Sequence, residues 1–114
     1  FGGRSAVVWG SFEILDEGDG FKVKKITVLS GQRLSLQYHK FRSEHWTVVQ
    51  GIATATIGNK VSKLKSDESL YIPLNEIHSV ANEEKEQLQF IEVQLGNYLG
   101  EDDIVRLKDI YNRI

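Results

Sequence analysis

Two imidazoles and a carboxylate, His39, His78 and Glu44, are the side chains whose types and spacing best suit chemistry in this chain. Imidazole nitrogen and carboxylate oxygen together suit one divalent ion such as Zn, Mn, Co, Fe or Ni. Gln37 stands two residues before His39, so on an extended segment the two side chains leave the same face. Its amide oxygen could be a fourth ligand, or could hold a ligated water or a substrate hydroxyl. Lys40 to Ser43 is a turn-sized gap, after which Glu44 opens a strand that antiparallel pairing could set beside His39. Pro73-Leu74-Asn75-Glu76-Ile77 makes a second turn and delivers His78 to the start of another strand. Spacing alone also fits a blander arrangement, core histidines with a glutamate partner.

The neighbours divide by face. Arg42, two residues before Glu44, offers a guanidinium suited to a phosphate group, or is a solvated loop arginine. His45 directly follows Glu44, so in a regular strand it points away from the metal and suits packing or a cross-strand hydrogen bond. Trp46 returns to the Glu44 face and is expected to fill the floor beneath the site.

The elements that must position these residues read as about nine short strands. Val7 to Leu15 is closed by Asp16-Glu17-Gly18-Asp19-Gly20, and Phe21 to Leu29 alternates. Leu34 to His39, Glu44 to Gln50, Ile52 to Ile57, Lys60 to Leu64, Ser69 to Ile72, His78 to Asn82 and Gln87 to Leu95 follow. Frequent short strands with turns between them predict an all-β sandwich or barrel. Lys22, Lys24 and Lys25 are expected to be exposed and to blunt a sheet edge. From Glu101 the period changes: Ile104, Leu107, Ile110 or Tyr111, and Ile114 recur every three to four positions behind Glu101, Asp102 and Asp103. That pattern predicts a short C-terminal helix with acidic residues at its positive end.

Composition excludes several classes of function. With 40% hydrophobic and 26% charged residues among 114, the chain can bury one core, and residues 7–114 are read as one domain. Phe1 to Ser5 carry no pattern and stay outside the fold argument. A formal charge of −2, without a basic stripe, speaks against nucleic acid as a partner. The absence of cysteine removes disulfides, thiolate-zinc sites and thiol nucleophiles, and agrees with a cytoplasmic setting. No apolar run approaches the roughly 18 residues of a membrane span, so no membrane role is expected.

The frame around the candidate ligands is more telling than the ligands. Gly31, five residues, Gln37, one residue, His39, four residues, Glu44, six residues and Gly51 resemble the first cupin motif, with Gln37 in place of its first histidine. Asp67, five residues, Pro73, one residue, Asn75, two residues, His78, three residues and Asn82 resemble the second. Asp67 and Asn75 stand where that motif has glycines, and both residue types visit left-handed backbone readily. The resemblance implies a cupin, a double-stranded β-helix or jelly-roll barrel, with His39, Glu44 and His78 as metal ligands.

Longer blocks narrow the resemblance. Trp9-Gly10-Ser11-Phe12-Glu13, Leu34-Ser35-Leu36-Gln37-Tyr38-His39, Arg42-Ser43-Glu44-His45-Trp46, Tyr71-Ile72-Pro73 and Tyr98-Leu99-Gly100-Glu101-Asp102-Asp103-Ile104-Val105-Arg106 are similar to the type II mannose-6-phosphate isomerase domain. That domain usually ends bifunctional mannose-1-phosphate guanylyltransferase/mannose-6-phosphate isomerases. The resemblance implies a metal-dependent aldose–ketose isomerase acting on mannose 6-phosphate and fructose 6-phosphate, in the supply of nucleotide sugars and polysaccharide precursors. Arg42 and Glu44 are then the catalytic candidates, with Arg42 and Lys40 on the substrate phosphate. A homodimer is expected from the same resemblance, with the strand around Trp9 as a candidate exchanged edge. Two positions depart from the family: Phe41, often histidine there, and Ser79, often arginine. They favour the alternative of a non-catalytic or differently specific sugar-binding cupin. Metal-dependent oxygen chemistry is a third reading of a two-histidine, one-carboxylate site.

Overall fold

Short β-branched and aromatic runs, each too short to bury itself, pair into two facing sheets. In a computed structural model that describes residues 3–107, the elements are β1 (Arg4–Val7), β2 (Gly10–Gly18), β3 (Phe21–Val28), β4 (Leu36–Tyr38), β5 (Arg42–Gln50) and β6 (Ala53–Ile57). They continue with β7 (Lys60–Leu64), β8 (Ser69–Ile72), β9 (His78–Ala81), β10 (Leu88–Gly96) and β11 (Val105–Leu107). One sheet has six strands in the order β1-β2-β3-β10-β5-β8, and the other has five, in the order β11-β4-β9-β6-β7. Only β1-β2, β2-β3 and β6-β7 pair with their sequence neighbours among the described residues. From β3 to β6 and from β7 to β11 the chain crosses between the sheets at every step, which is the jelly-roll arrangement.

Register decides what faces inward. Across the six-stranded sheet, Val28 lies opposite Leu88, and Ile26 opposite Phe90, which in turn lies opposite Val48. Two rows further on, Lys24, Glu92 and Trp46 align, then Lys22, Gln94 and Glu44. The apolar rows join Ala53, Ala55, Ile72 and Val80 in one buried core between the sheets. Each large aliphatic or aromatic side chain so buried contributes about 1.5–3 kcal/mol.

The motif frame is realised in the backbone. Asp67 and Asn75 are the non-glycine residues with positive φ among the described residues, at 77° and 65°. At Gly51, φ is +81° and an added Cβ would lie 2.6 Å from the Gln87 carbonyl oxygen, so glycine is required there on two counts. Asn82 donates to the carbonyls of Val28 at 3.0 Å and Glu86 at 2.8 Å, tying the end of β9 to the neighbouring loop.

Three sequence-based expectations change. No helix forms over Glu101–Leu107: after a turn, Val105, Arg106 and Leu107 pair with Tyr38, Gln37 and Leu36 of β4. The open edge of β4 offers unpaired backbone groups, and pairing satisfies them more fully than one or two turns of isolated helix could. The remainder of the expected helix, 108–114, lies outside the described residues. Lys22 and Lys24 blunt no edge, because β3 lies between β2 and β10, and both are buried at 7% and 5% exposure. Finally, Arg4 to Val7, partly set aside on sequence, form strand β1 through pairing with Gly10 to Glu13 of β2.

Candidate metal centre

β4 runs straight into His39, and the turn that follows is held by one carboxylate. Asp103 Oδ1 accepts from the Lys40 amide at 2.8 Å and Oδ2 from the Phe41 amide at 2.9 Å. β5 then begins at Arg42 and aims Glu44 inward. Opposite, His78 opens β9 and pairs in register with Gln37. His39, Glu44 and His78 thereby converge, with one ligand atom from each lying within 4.8 Å of the others, and all three residues are buried.

Hydrogen bonds set the tautomers. His39 Nδ1 lies 2.7 Å from the Asp103 carbonyl oxygen and His78 Nδ1 lies 2.9 Å from that of Glu76. A carbonyl only accepts, so each Nδ1 carries the proton and each Nε2 presents a lone pair. His39 Nε2 is 3.3 Å from Glu44 Oε2, and His78 Nε2 is 4.0 Å from Oε1. Burial pulls both imidazoles below their ordinary range, against the raising effect of Glu44, which keeps them in the neutral, coordinating form. Burial opposes ionisation of Glu44 as well, but a hydrogen bond with Glu92 and the charges around it, Arg42 foremost, outweigh it and hold the carboxyl at about 2. Two inward lone pairs and an ionised carboxylate fit a divalent metal.

Arg42 is buried beside these ligands: Nε and Nη2 each lie 2.8 Å from Glu44 Oε2, and Nη2 lies 3.2 Å from His39 Nε2. Trp46 donates to Glu44 Oε1 at 2.9 Å and stacks on Phe90 with ring centroids 4.9 Å apart, joining the site to the core beneath it. The Gln37 amide nitrogen donates to the Ser35 carbonyl at 3.1 Å, which leaves its oxygen as the atom available to a ligand. Lys40 is exposed and does not line the cavity. Phe41 is exposed too, edge-on to Tyr98, whereas Ser79 lies on the cavity wall. His45 faces outward and stacks against Tyr71, 4.7 Å between centroids.

His39, Glu44 and His78 form one part of the wall of a cavity of about 510 Å³, which Gln37, Lys24, Glu92, Glu101 and Arg106 also line. Glu92, buried, is held well above the ordinary carboxyl range by burial first and the adjacent Glu44 charge second. Sequence reasoning missed it, although a glutamate in phase with Leu88 and Phe90 was the signal: it occupies an inward position of its strand. Asp103 was likewise read as a helix cap, and Lys22 and Lys24 as surface residues. Their Nζ atoms lie 3.1 and 2.9 Å from Glu101 Oε2, making a half-buried cluster on the cavity side.

Comparison with known proteins gives the family and the fold. Residues 4–109 match the family model described as mannose-6-phosphate isomerase C-terminal. The chain belongs to this family. Among its relatives, the alginate biosynthesis protein AlgA of Pseudomonas aeruginosa is 52% identical over 105 residues, 92% of this chain and 22% of that protein. The mannose-1-phosphate guanylyltransferase ManC of Salmonella typhimurium is 47% identical over 106 residues, 93% of this chain and again 22% of the relative. This chain therefore spans about a fifth of the curated proteins it matches. Solved structures share the fold: oxalate decarboxylase from Bacillus subtilis at pH 4.6 aligns with a TM-score of 0.84 at 18% identity, over 96% of this chain and 31% of that one. A Klebsiella pneumoniae protein with a double-stranded β-helix domain aligns with a TM-score of 0.74 at 21% identity, over 85% and 83%. The cupin architecture expected from the two motifs is thus the observed one.

Proposed function

We propose that this family member interconverts mannose 6-phosphate and fructose 6-phosphate, in the supply of nucleotide-sugar and polysaccharide precursors. One observation carries the reading: His39 Nε2, Glu44 and His78 Nε2 converge on the wall of a cavity large enough for a hexose phosphate. His39, Glu44 and His78, with Gln37 Oε1 as a fourth donor, would hold a divalent metal, which would supply Lewis acidity at the sugar carbonyl. The chain's own residues do the rest. Asp103 and Glu76 carbonyls orient the two imidazoles, and the Asp103 carboxylate holds the turn that aims Arg42 and Glu44 inward. The Arg42 guanidinium places positive charge where the C1–C2 oxygens become negative. Isomerisation moves a proton between C1 and C2, which needs a basic group inside the cavity that is not a metal ligand, and a carboxyl is one such group. Glu101 is tied to two lysines, so the reading assigns that proton to Glu92.

A coupled assay for fructose 6-phosphate on purified protein reconstituted with Zn, Mn or Co tests the proposal. Turnover that disappears in Glu92→Gln, with metal content kept, is the expected result. No product with any of the three metals overturns the isomerase reading. Retained sugar-phosphate binding in that case moves the conclusion to a sugar-binding cupin, with Ser79 on the cavity wall as the departure that matters.

A further inference from the structure

Four basic side chains line the cavity, Lys24, Arg33, Arg42 and Arg106, against three acidic ones, Glu44, Glu92 and Glu101. Three of the four cations are committed. Lys24 Nζ lies 2.9 Å from Glu101 and 4.6 Å from the centroid of the Phe12 ring. Arg42 has its fork on Glu44 and His39. Arg33 makes an interaction of its own within the protein. The Arg106 guanidinium makes no hydrogen bond or ion pair with the described residues, although it lines the cavity from β11.

We propose that Arg106, with the Ser35 hydroxyl on the adjoining wall, is the seat for the phosphate of the sugar, and that Arg42 and Lys40 are not. The inference deepens the isomerase reading and rests on it. Two arguments carry it. A phosphate dianion at Arg42 would have to take the guanidinium from Glu44, and would lie against the metal ligands in the place the sugar carbonyl must occupy. The dimensions also fit. Arg106 pairs with Gln37, and Gln37 with His78, so the three form one row across β11, β4 and β9. Two strand spacings of about 4.8 Å put the Arg106 backbone roughly 10 Å from that of His78. In a hexose 6-phosphate six bonds separate C2 from phosphorus, about 7 Å at the roughly 1.2 Å advance per bond of an extended chain. A sugar with its carbonyl at the metal ligands therefore reaches β11 with its phosphate. Guanidinium suits that group because its planar donors match two phosphate oxygens at once.

Calorimetric titration of metal-loaded protein with mannose 6-phosphate and with unphosphorylated mannose, beside steady-state kinetics, tests the seat. Arg106→Ala and Arg106→Gln should weaken mannose 6-phosphate on the order of 10- to 100-fold, the value of a charge-assisted contact, and leave mannose binding unchanged. The kinetic loss should fall on KM, with kcat within about twofold, and Arg106→Lys should recover part of it. Wild-type affinity for mannose 6-phosphate in both the Ala and the Gln variant overturns the proposal. The two readings fail separately. A wild-type protein without turnover whose Arg106 variants still lose sugar-phosphate binding keeps the seat and removes the isomerase; normal turnover and affinity in the variants removes the seat alone.

Discussion

The inner face of the six-stranded sheet has two ends that are both buried and physically unlike. At one end Val28, Leu88, Phe90 and Val48, at 0–1% exposure, make contacts that need no particular partner. At the other, on the same strands and the same side of the pleat, stand Lys22, Lys24, Glu92, Gln94, Glu44 and Arg42, all below 9% exposure. Burial at the first end is favourable in itself. At the second it is costly unless each group is paired, and the pairings run Lys22 and Lys24 to Glu101, Arg42 and Trp46 to Glu44, and Glu92 to Glu44. Among the described residues Gln94 has no hydrogen-bond partner for either amide atom, although it is fully buried in register with Glu44. One end holds the barrel shut; the other accepts a cost in stability to keep charged donors in a low-dielectric cavity where they act strongly.

Substitutions should separate the two ends. Leu88→Ala is expected to cost about 2–5 kcal/mol in urea unfolding, since it empties a fully buried position away from the cavity. Metal per folded chain should stay the same. His78→Ala should do the opposite, abolishing metal in elemental analysis while costing far less in the metal-free protein. If His78→Ala retains metal, the ligand assignment is wrong and the contrast between the ends loses its functional meaning.

Acid should loosen the charged end selectively. Glu44 is held at about 2 in the fold against an ordinary value of 4.5. A depressed carboxyl stabilises fully above its unfolded value, so this contribution is present above pH 4.5 and is lost as pH falls from there towards 2. Glu101 acts in the same sense: burial raises its value, but the hydrogen bonds and charges of Lys24 and Lys22 outweigh burial and lower it. Glu92 has the opposite sign, its stabilisation being present below pH 4.5 and lost as pH rises through its elevated folded value. Urea midpoints of metal-free protein measured against pH should fall steeply below pH 4.5, less steeply in Glu101→Gln. Glu92→Gln should gain on wild type as pH rises. Parallel curves for all three proteins would remove the electrostatic part of the comparison.

The smallest expected effect concerns the turn that feeds the charged end. Asn75, with φ at 65°, should lose about 1–2 kcal/mol on conversion to Ala and only a few tenths on conversion to Gly. Equal losses in both variants would mean that the side chain, not the left-handed backbone, matters there.

Much of this molecule was legible before folding because its signals are local. Gly31, Gly51, Asp67 and Asn75 mark positions where backbone sterics leave few choices, and all four have positive φ. The alternation in Phe21–Val28 put Lys22 and Lys24 on one face with Ile26 and Val28, and the register kept them there. Spacing within the two motifs placed His39 at a strand end and Glu44 and His78 at strand starts, and pairing brought them together. What only tertiary structure decided is which neighbour each residue met. Lys22 and Lys24 are buried because β10 covers their strand and Glu101, 77 residues beyond Lys24, arrives to pair with them. Val105–Leu107 became a strand because β4 had a free edge, overriding a three-to-four residue period that favoured helix. Asp103 orients His39 across 64 residues of chain, and Glu92 joins Glu44 from the neighbouring strand. Backbone preferences act over a few residues and can be read from them, whereas a buried charge is specified by its partner, and for Lys22, Lys24 and Glu92 that partner lies far away in sequence.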